Sequence, residues 1–198
     1  MKNIIIVIIF LLNLQSLTNA DDISDFEIEG MSIGSSLLDY FSKKKIIDKK
    51  NSYSDKGYIF GVKDFYSITF RQLPRFQVYE AIQIYLKDKD ENFIIQALSG
   101  FKYYENNINE CYSDLNVIKK EFDAMLKNAN KVGDGKKRKH VYDKSGKSTT
   151  LDYYYYLNNN NYEFISIVCT DWGKKINRTD NFQVQISSYE FGDFLYNK

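Results

Sequence analysis

One long amphipathic helix, predicted for residues 109–129, divides this chain into two parts that are otherwise rich in β-type runs. Within it, Cys111, Leu115, Ile118 and Phe122 recur at steps of three and four residues. That spacing places apolar side chains on one face of an α-helix. Such a face must be covered, and the flanking runs are the segments that can supply a sheet to cover it.

Four strand-like runs precede the predicted helix and four follow it. Alternating apolar residues, as in Tyr66, Ile68 and Phe70, indicate strands that bury one face. The runs cover residues 58–62, 66–71, 77–86, 93–102, 139–143, 149–157, 162–170 and 182–191. Two short helices are expected earlier, one capped by Ser35 or Ser36 and one over residues 43–50.

The order of these elements predicts an α+β fold, with an antiparallel β-sheet and helices packed on one face. Helices do not alternate singly with strands, which argues against a doubly wound parallel sheet. The pattern also allows two helix-plus-four-strand units in tandem, residues 35–104 and 109–191, within one domain over residues 21–198. The arrangement resembles that of β-lactamase-inhibitor-type and outer-membrane assembly-factor-type modules, a likeness of fold that implies no function.

Residues 1–20 have the order of a secretory signal peptide. Lys2 precedes an unbroken apolar run over residues 4–12, and Thr18, Asn19 and Ala20 stand where a signal peptidase recognises small residues. The run is about half the length of roughly 20 residues that spans a bilayer. We predict cleavage after Ala20 and a periplasmic or secreted protein with no stable membrane insertion; the alternative is that this segment stays attached as an anchor.

Charge and composition narrow the classes of partner. The chain has 27 Lys and Arg against 26 Asp and Glu, and loss of Lys2 with the leader leaves 26 of each. A neutral domain is not drawn to nucleic acid by its overall charge, so no nucleic-acid partner is predicted. The chain contains a single histidine and two cysteines. Neither a multi-histidine metal site nor a four-cysteine zinc module can be built, and no cofactor is predicted.

The two cysteines, Cys111 and Cys169, both lie in the part that would be exported. In an oxidising compartment two such residues usually pair, so a disulfide is predicted between the long helix and a core strand. Two buried free thiols are the first alternative. A catalytic cysteine that works with His140 is the second.

Short motifs offer a competing enzymatic hypothesis. Ser32 lies in a Gly-x-Ser-x-Gly pattern. Ser36 lies in a segment that resembles the GDSL block of serine hydrolases, although Ser35 replaces its Asp. Lys137 stands where the Asp-x-x-His pair of those enzymes would place an acid before His140. A glycine-bounded turn and a capping serine explain both segments more simply.

Two further segments are explained without a ligand. Residues 145–149 resemble the end of a P-loop, but Val141 occupies the position of a required glycine and a strand follows instead of a helix. The basic run over residues 136–139 is predicted to be a solvated loop. The sequence therefore favours an exported, non-enzymatic binding or envelope-associated domain, with a small serine hydrolase that uses Ser36 or Ser32 with His140 as the alternative.

The residues also carry a resemblance over most of the chain. The opening segment, residues 25–46, is similar to that of a group of uncharacterised exported proteins from AT-rich marine alphaproteobacteria. Residues 109–115, 140–148 and 168–172 resemble segments of the same group. The resemblance implies an exported location and a shared fold, and it implies no activity.

Overall fold

The computed structural model of the chain describes residues 22–53, 64–105, 107–157 and 162–197. These ranges contain three α-helices: α1 (Lys43–Tyr53), α2 (Ile108–Met125) and α3 (Tyr189–Tyr196). The strands are β1 (Glu27–Ile28), β2 (Met31–Ser32), β3 (Phe65–Arg71), β4 (Ala81–Lys87), β5 (Ile95–Tyr104), β6 (Asn130–Val132), β7 (Arg138–Lys139), β8 (Thr149–Tyr156), β9 (Phe164–Asp171) and β10 (Asp180–Ser187). The predicted α+β class, with helices packed against an antiparallel sheet, is confirmed, but α3 packs on the face opposite α2 and not on the single face predicted.

An eight-stranded antiparallel sheet organises the described chain, in the order β3-β4-β5-β10-β9-β8-β6, with β7 also paired to β8. The first half of the chain contributes the meander β3-β4-β5 and the second half the meander β8-β9-β10. They join where β5 runs antiparallel to β10, with Gly100 opposite Val184. The two halves therefore share one sheet. Residues 58–62, the remaining strand predicted for the first half, lie outside the described residues.

Three predicted strand boundaries shift by four residues, each because a polar group binds the backbone, and the other boundaries within the described residues shift by two residues or fewer. The run predicted from residue 77 begins at Ala81, because the Glu29 carboxylate accepts the backbone N–H groups of residues 77–79. The run over 139–143 ends at Lys139, because Asp143 accepts the backbone N–H of Ser145 and starts a turn. The last run ends at Ser187, because Ser188 caps α3.

The main core lies between the sheet and α2. Cys111, Leu115 and Phe122 of α2 are buried there, as the helical spacing predicts. Cys111 is bonded to Cys169 of β9, with the two Cα atoms 6.0 Å apart. The predicted disulfide between helix and strand is confirmed, so both alternatives that need a free thiol are wrong. None of the helices in the described ranges is long and apolar enough to cross a membrane.

Charged and phenolic side chains fix the angle of α2 on the sheet. Asp114 accepts hydrogen bonds from the Lys102 ammonium and the Tyr104 hydroxyl of β5, both at 2.6 Å. Near the other end of α2, the Tyr155 hydroxyl donates to Asp123 at 3.1 Å. These contacts hold the helix to two strands that lie on either side of β9 and β10.

The opposite face of the sheet is covered only in part by the described elements. There α3 packs Phe191 and Phe194 against Phe65 and Ala97, at one end of the strands. The rest of that face carries mainly polar side chains.

Candidate functional site

A row of uncharged polar side chains crosses the sheet on the face opposite α2. The strand registers place one such residue from each of six adjacent strands in line: Thr69, Gln83, Ser99, Gln185, Ser166 and Tyr154. We call this line the polar row. Neighbouring strands lie about 4.8 Å apart, so five steps give the row a length of about 24 Å.

Hydrogen bonds between side chains hold the centre of the polar row in place. The Gln183 amide donates to Ser99 Oγ at 3.0 Å and to Gln185 Oε1 at 3.2 Å. The Ser99 hydroxyl donates to the same Gln185 oxygen at 3.2 Å. Ser99 is fully buried beneath these amides. Glutamine side chains at a solvated surface sample many rotamers, whereas these are fixed before any ligand arrives.

The first strands of the row show the same arrangement. The Gln83 amide donates to Ser67 Oγ at 3.0 Å, and the Tyr85 hydroxyl donates to Gln83 Oε1 at 3.0 Å. Burial raises the pKa of Tyr85 to about 12, against a hydrogen bond with Ser99 that lowers it. Burial and the nearby Asp152 carboxylate raise the pKa of Tyr154 to about 12. Both phenols therefore keep their protons at neutral pH and remain hydrogen-bond donors.

A second row beside the polar row carries apolar and amide groups, with charges only at its two ends. In strand order it holds Arg71, Ala81, Phe101, Gln183, Val168 and Asp152. Arg71 donates to the Tyr103 hydroxyl at 2.5 Å, and Asp152 accepts from Arg138 at 2.9 Å. The two rows together are called the polar sheet face.

The local sequence explains the polar sheet face once the registers are known. Side chains alternate between the two faces of a strand, so residues two apart share a face. In β4, Ile82, Ile84 and Leu86 enter the core, and Gln83 and Tyr85 point the other way. The uncharged polar residues at every second position were visible in the sequence. Their alignment was not, because it depends on the pairing of β5 with β10.

A second surface lies where the β7–β8 and β9–β10 loops meet, near the Tyr104 end of β5. There His140 Nδ1 accepts the backbone N–H of Tyr142 at 3.3 Å, and its ring centroid lies 4.4 Å from that of Trp172. The Arg178 guanidinium lies 4.7 Å from the Trp172 ring centroid. Burial, and then the Arg178 charge, lower the pKa of His140, and the Asp143 carboxylate opposes them.

A cleft of about 930 Å³ opens beside this cluster, between the β9–β10 loop and the start of α2. Trp172 and Arg178 line it on one side, and Tyr104 and Ile108 line it on the other. The Trp172 backbone N–H donates to Asp180 at 2.7 Å, and burial raises the pKa of that carboxyl group. Acidic and basic side chains both line the cleft. The Trp172 ring contacts His140 and Arg178.

The structure separates the two serines of the hydrolase hypothesis from the histidine. Ser36 forms an isolated β-bridge with Ile94, the residue just before β5. Ser32 lies close by, because its carbonyl accepts the Ser35 hydroxyl and the Gly34 N–H donates to the Ile95 carbonyl. His140 lies at the opposite end of the sheet, where its ring contacts Trp172. The Trp172 backbone N–H donates to Asp180, and Asp180 is paired with Tyr104, the last residue of β5. Ten residues of extended strand span about 33 Å. A nucleophile and its base need a hydrogen-bond distance, so neither pair is assembled.

Each of these residues has a structural role instead. Ser36 caps a short 3₁₀ turn by accepting the Leu38 N–H, and its hydroxyl donates to the Asn92 carbonyl at 2.6 Å. Ser32 lies in β2. The P-loop-like segment forms a turn and then β8, with no helix N-terminus to face a phosphate. Among the described residues, no cluster of three His, Cys, Asp or Glu side chains is placed to hold a metal ion.

The basic run over residues 136–139 is exposed, as the sequence predicts. Arg138 bridges Asp134 and Asp152, and the Lys137 ammonium lies 4.1 Å from the ring centroid of Tyr112. The run therefore serves partly to hold β7 against β8.

Comparisons of the chain with protein-family models, with curated protein sequences and with solved structures find no match.

Proposed function

We propose that this protein is an exported, non-enzymatic binding domain, and that its binding surface is the polar sheet face. The signal-like segment over residues 1–20 and the disulfide between Cys111 and Cys169 support export. The resemblance to exported alphaproteobacterial proteins supports the same location. The observation that carries the binding role is the polar row, whose central residues Ser99 and Gln185 are fixed by hydrogen bonds to each other and to Gln183 of the second row.

Composition distinguishes this face from an ordinary solvated one. Lys and Glu, which usually cover the exposed face of an antiparallel sheet, are absent from both rows. The aromatic residues Phe101 and Tyr154, together with Arg71, lie among amides and hydroxyls. Depletion of Lys and Glu with enrichment of aromatic residues and Arg marks the centres of protein interfaces. Fixed rotamers reduce the entropy lost on association.

Site-specific photocrosslinking in the organism that makes the protein tests this proposal. A benzoylphenylalanine at Phe101 is close in shape to the native ring and lies at the centre of the polar sheet face. The matched control places the same residue at Val117, an exposed position on α2. We expect a crosslinked adduct from position 101 and none from position 117, with loss of the adduct when Gln185→Lys is added. Equal adducts from both positions, or none from position 101, would contradict the proposal.

The hydrolase alternative is not supported by any contact among the described residues, because Ser32 and Ser36 lie far from His140.

A further inference from the structure

Two adjacent hydrophobic side chains project from the loop between β7 and β8. Val141 is 85% exposed and Tyr142 is 75% exposed. Other large hydrophobic residues at the described surface, such as Val117 at 44% and Tyr196 at 52%, are less exposed. Exposed apolar residues that stand together mark a site of interaction more often than single ones do.

The loop holds these side chains outward by a fixed backbone. Asp143 accepts the backbone N–H groups of Ser145 and Ser148, both at 2.8 Å, and its side chain is turned inward. The Ser148 hydroxyl accepts the Gly173 N–H at 2.9 Å, which ties this loop to the β9–β10 loop. Hydrogen bonds from Ser145 and Ser148 lower the pKa of Asp143, so the turn keeps its charge over the physiological range.

Cationic side chains are concentrated on the same pair of loops. Residues 139–148 and 172–179, here called the loop-end surface, contain six exposed cations: Lys139, Lys144, Lys147, Lys174, Lys175 and Arg178. Asp143, buried in its own turn, is the single acidic residue within these segments, and Asp171 and Asp180 flank the second segment, so the six cations outnumber the three neighbouring carboxylates. Because the chain as a whole is nearly neutral, this is a local excess of positive charge.

We propose that the loop-end surface docks on an anionic lipid bilayer, with Val141 and Tyr142 entering the interfacial region and the cations contacting the headgroups. A soluble polyanion would pair with the lysines but offers no apolar phase for Val141. A bilayer supplies both, since tyrosine favours the membrane–water interface and each Lys or Arg near an anionic surface adds attraction. This attachment is peripheral.

Binding to vesicles tests the proposal, with the disulfide-bonded protein mixed with phosphatidylcholine vesicles or with vesicles that also contain phosphatidylglycerol. Trp172 is the only tryptophan of the chain and lies on the loop-end surface. Its emission should therefore move to shorter wavelength on binding. We expect co-sedimentation and this shift with the anionic vesicles only, and weaker binding as salt is raised.

Matched variants separate charge from the apolar tip. The triple variant Lys144→Gln, Lys147→Gln, Lys174→Gln should bind about a hundredfold more weakly, since each lysine adds about 1 kcal/mol at such a surface. The control changes three exposed lysines elsewhere, Lys44→Gln, Lys120→Gln and Lys127→Gln, and should retain most of the affinity.

The tip variant Val141→Ser with Tyr142→Ser should lose about tenfold, as expected when buried apolar surface is removed. Near-UV circular dichroism checks that each variant is folded. Three results would overturn the proposal: no binding by the unmodified protein, equal losses in the two lysine triples, or undiminished binding by the tip variant. The last of these would show that charge alone holds the protein to the vesicle and that the apolar tip does not enter the bilayer.

Discussion

The backbone carbonyl of Tyr162 lies against Gly192 of α3, so closely that a Cβ on Gly192 would stand 1.8 Å from the carbonyl oxygen. No side chain can occupy that space without a shift of the helix or of the chain that enters β9. Gly192 thereby allows α3 to settle on one end of the sheet, where Phe191 and Phe194 cover Phe65 and Ala97. The position of α3 decides how much of the polar sheet face stays open.

We predict that Gly192→Ala lowers the free energy of unfolding by about 1–3 kcal/mol, the usual cost of overpacking. In an unobstructed helix the same substitution stabilises, by roughly 0.5–1 kcal/mol. The sign of the change is therefore diagnostic. Urea denaturation measures it, and Asn116→Ala on the exposed side of α2 is the control, expected to be neutral or stabilising. A Gly192→Ala variant as stable as the parent would contradict the close contact.

Glu29 holds the entry to β4 in place. Its carboxylate accepts the backbone N–H groups of Gln77 at 2.8 Å, Val78 at 2.7 Å and Tyr79 at 2.9 Å. Glu29→Ala leaves these three donors without their acceptor, and we expect a loss of about 2–4 kcal/mol in unfolding free energy.

The charge and the geometry of Glu29 can be separated with two further variants. Glu29→Gln keeps one acceptor oxygen, so its loss should be smaller, about 1–2 kcal/mol. Glu27→Ala, an exposed position two residues earlier in β1, should change stability by less than about 0.5 kcal/mol. If Glu27→Ala and Glu29→Ala were equally destabilising, the hydrogen bonds of Glu29 would not be the cause.

Much of the core architecture could be predicted because its pattern is local. The three- and four-residue recurrence of Cys111, Leu115, Ile118 and Phe122 predicts the inward face of α2, and alternation in β3 predicts its strand. The disulfide followed because one cysteine lies on that helical face and the other ends an apolar run. For the helix and the strand, residues a few positions apart determine the outcome, whereas the disulfide could be predicted because the chain has only two cysteines and a signal-like leader.

The remaining features depend on residues far apart in the chain. Gln77 leaves the predicted strand because of Glu29, 48 residues away. The polar row needs β5 beside β10, so Ser99 and Gln185 meet only across a separation of 86 residues. His140 and Ser36 looked compatible as a catalytic pair because sequence gives no distance; the strand registers place them at opposite ends of the sheet. Strand pairing order, and not local propensity, decided the last two of these results.

Loss of the disulfide should be costly. Its loop spans 58 residues, and the chain-entropy relation gives up to about 4 kcal/mol for a loop of that size. We predict that Cys111→Ala with Cys169→Ala unfolds at a lower urea concentration than the oxidised parent and near that of the reduced parent. Thiol titration of the denatured, unreduced parent should find no free thiol. Two reactive thiols, or equal midpoints for the oxidised and reduced protein, would contradict the prediction.

His140 reports directly on the loop-end surface, because it is the only histidine of the chain and its NMR signals need no further assignment. Burial, followed by the Arg178 charge, places its pKa below the ordinary value of 6.5. The folded protein then binds fewer protons than the unfolded chain near that pH. This contribution to stability is present above about 6.5 and is lost as the pH falls through the folded-state pKa. Protonation also removes the Nδ1 lone pair that accepts the Tyr142 N–H, so the Tyr142 amide signal should move with the same titration.

Arg178→Gln tests the electrostatic part of this shift. Removal of the guanidinium that lies over Trp172 should raise the His140 pKa toward its ordinary value, whereas Arg178→Lys, which keeps the charge, should change it less. Burial remains in both variants, so the pKa should stay below 6.5 in each. A His140 pKa at or above the ordinary value in the unmodified protein would show that the ring is not packed on Trp172. Identical values for the two Arg178 variants would show that the charge of Arg178 does not reach the ring.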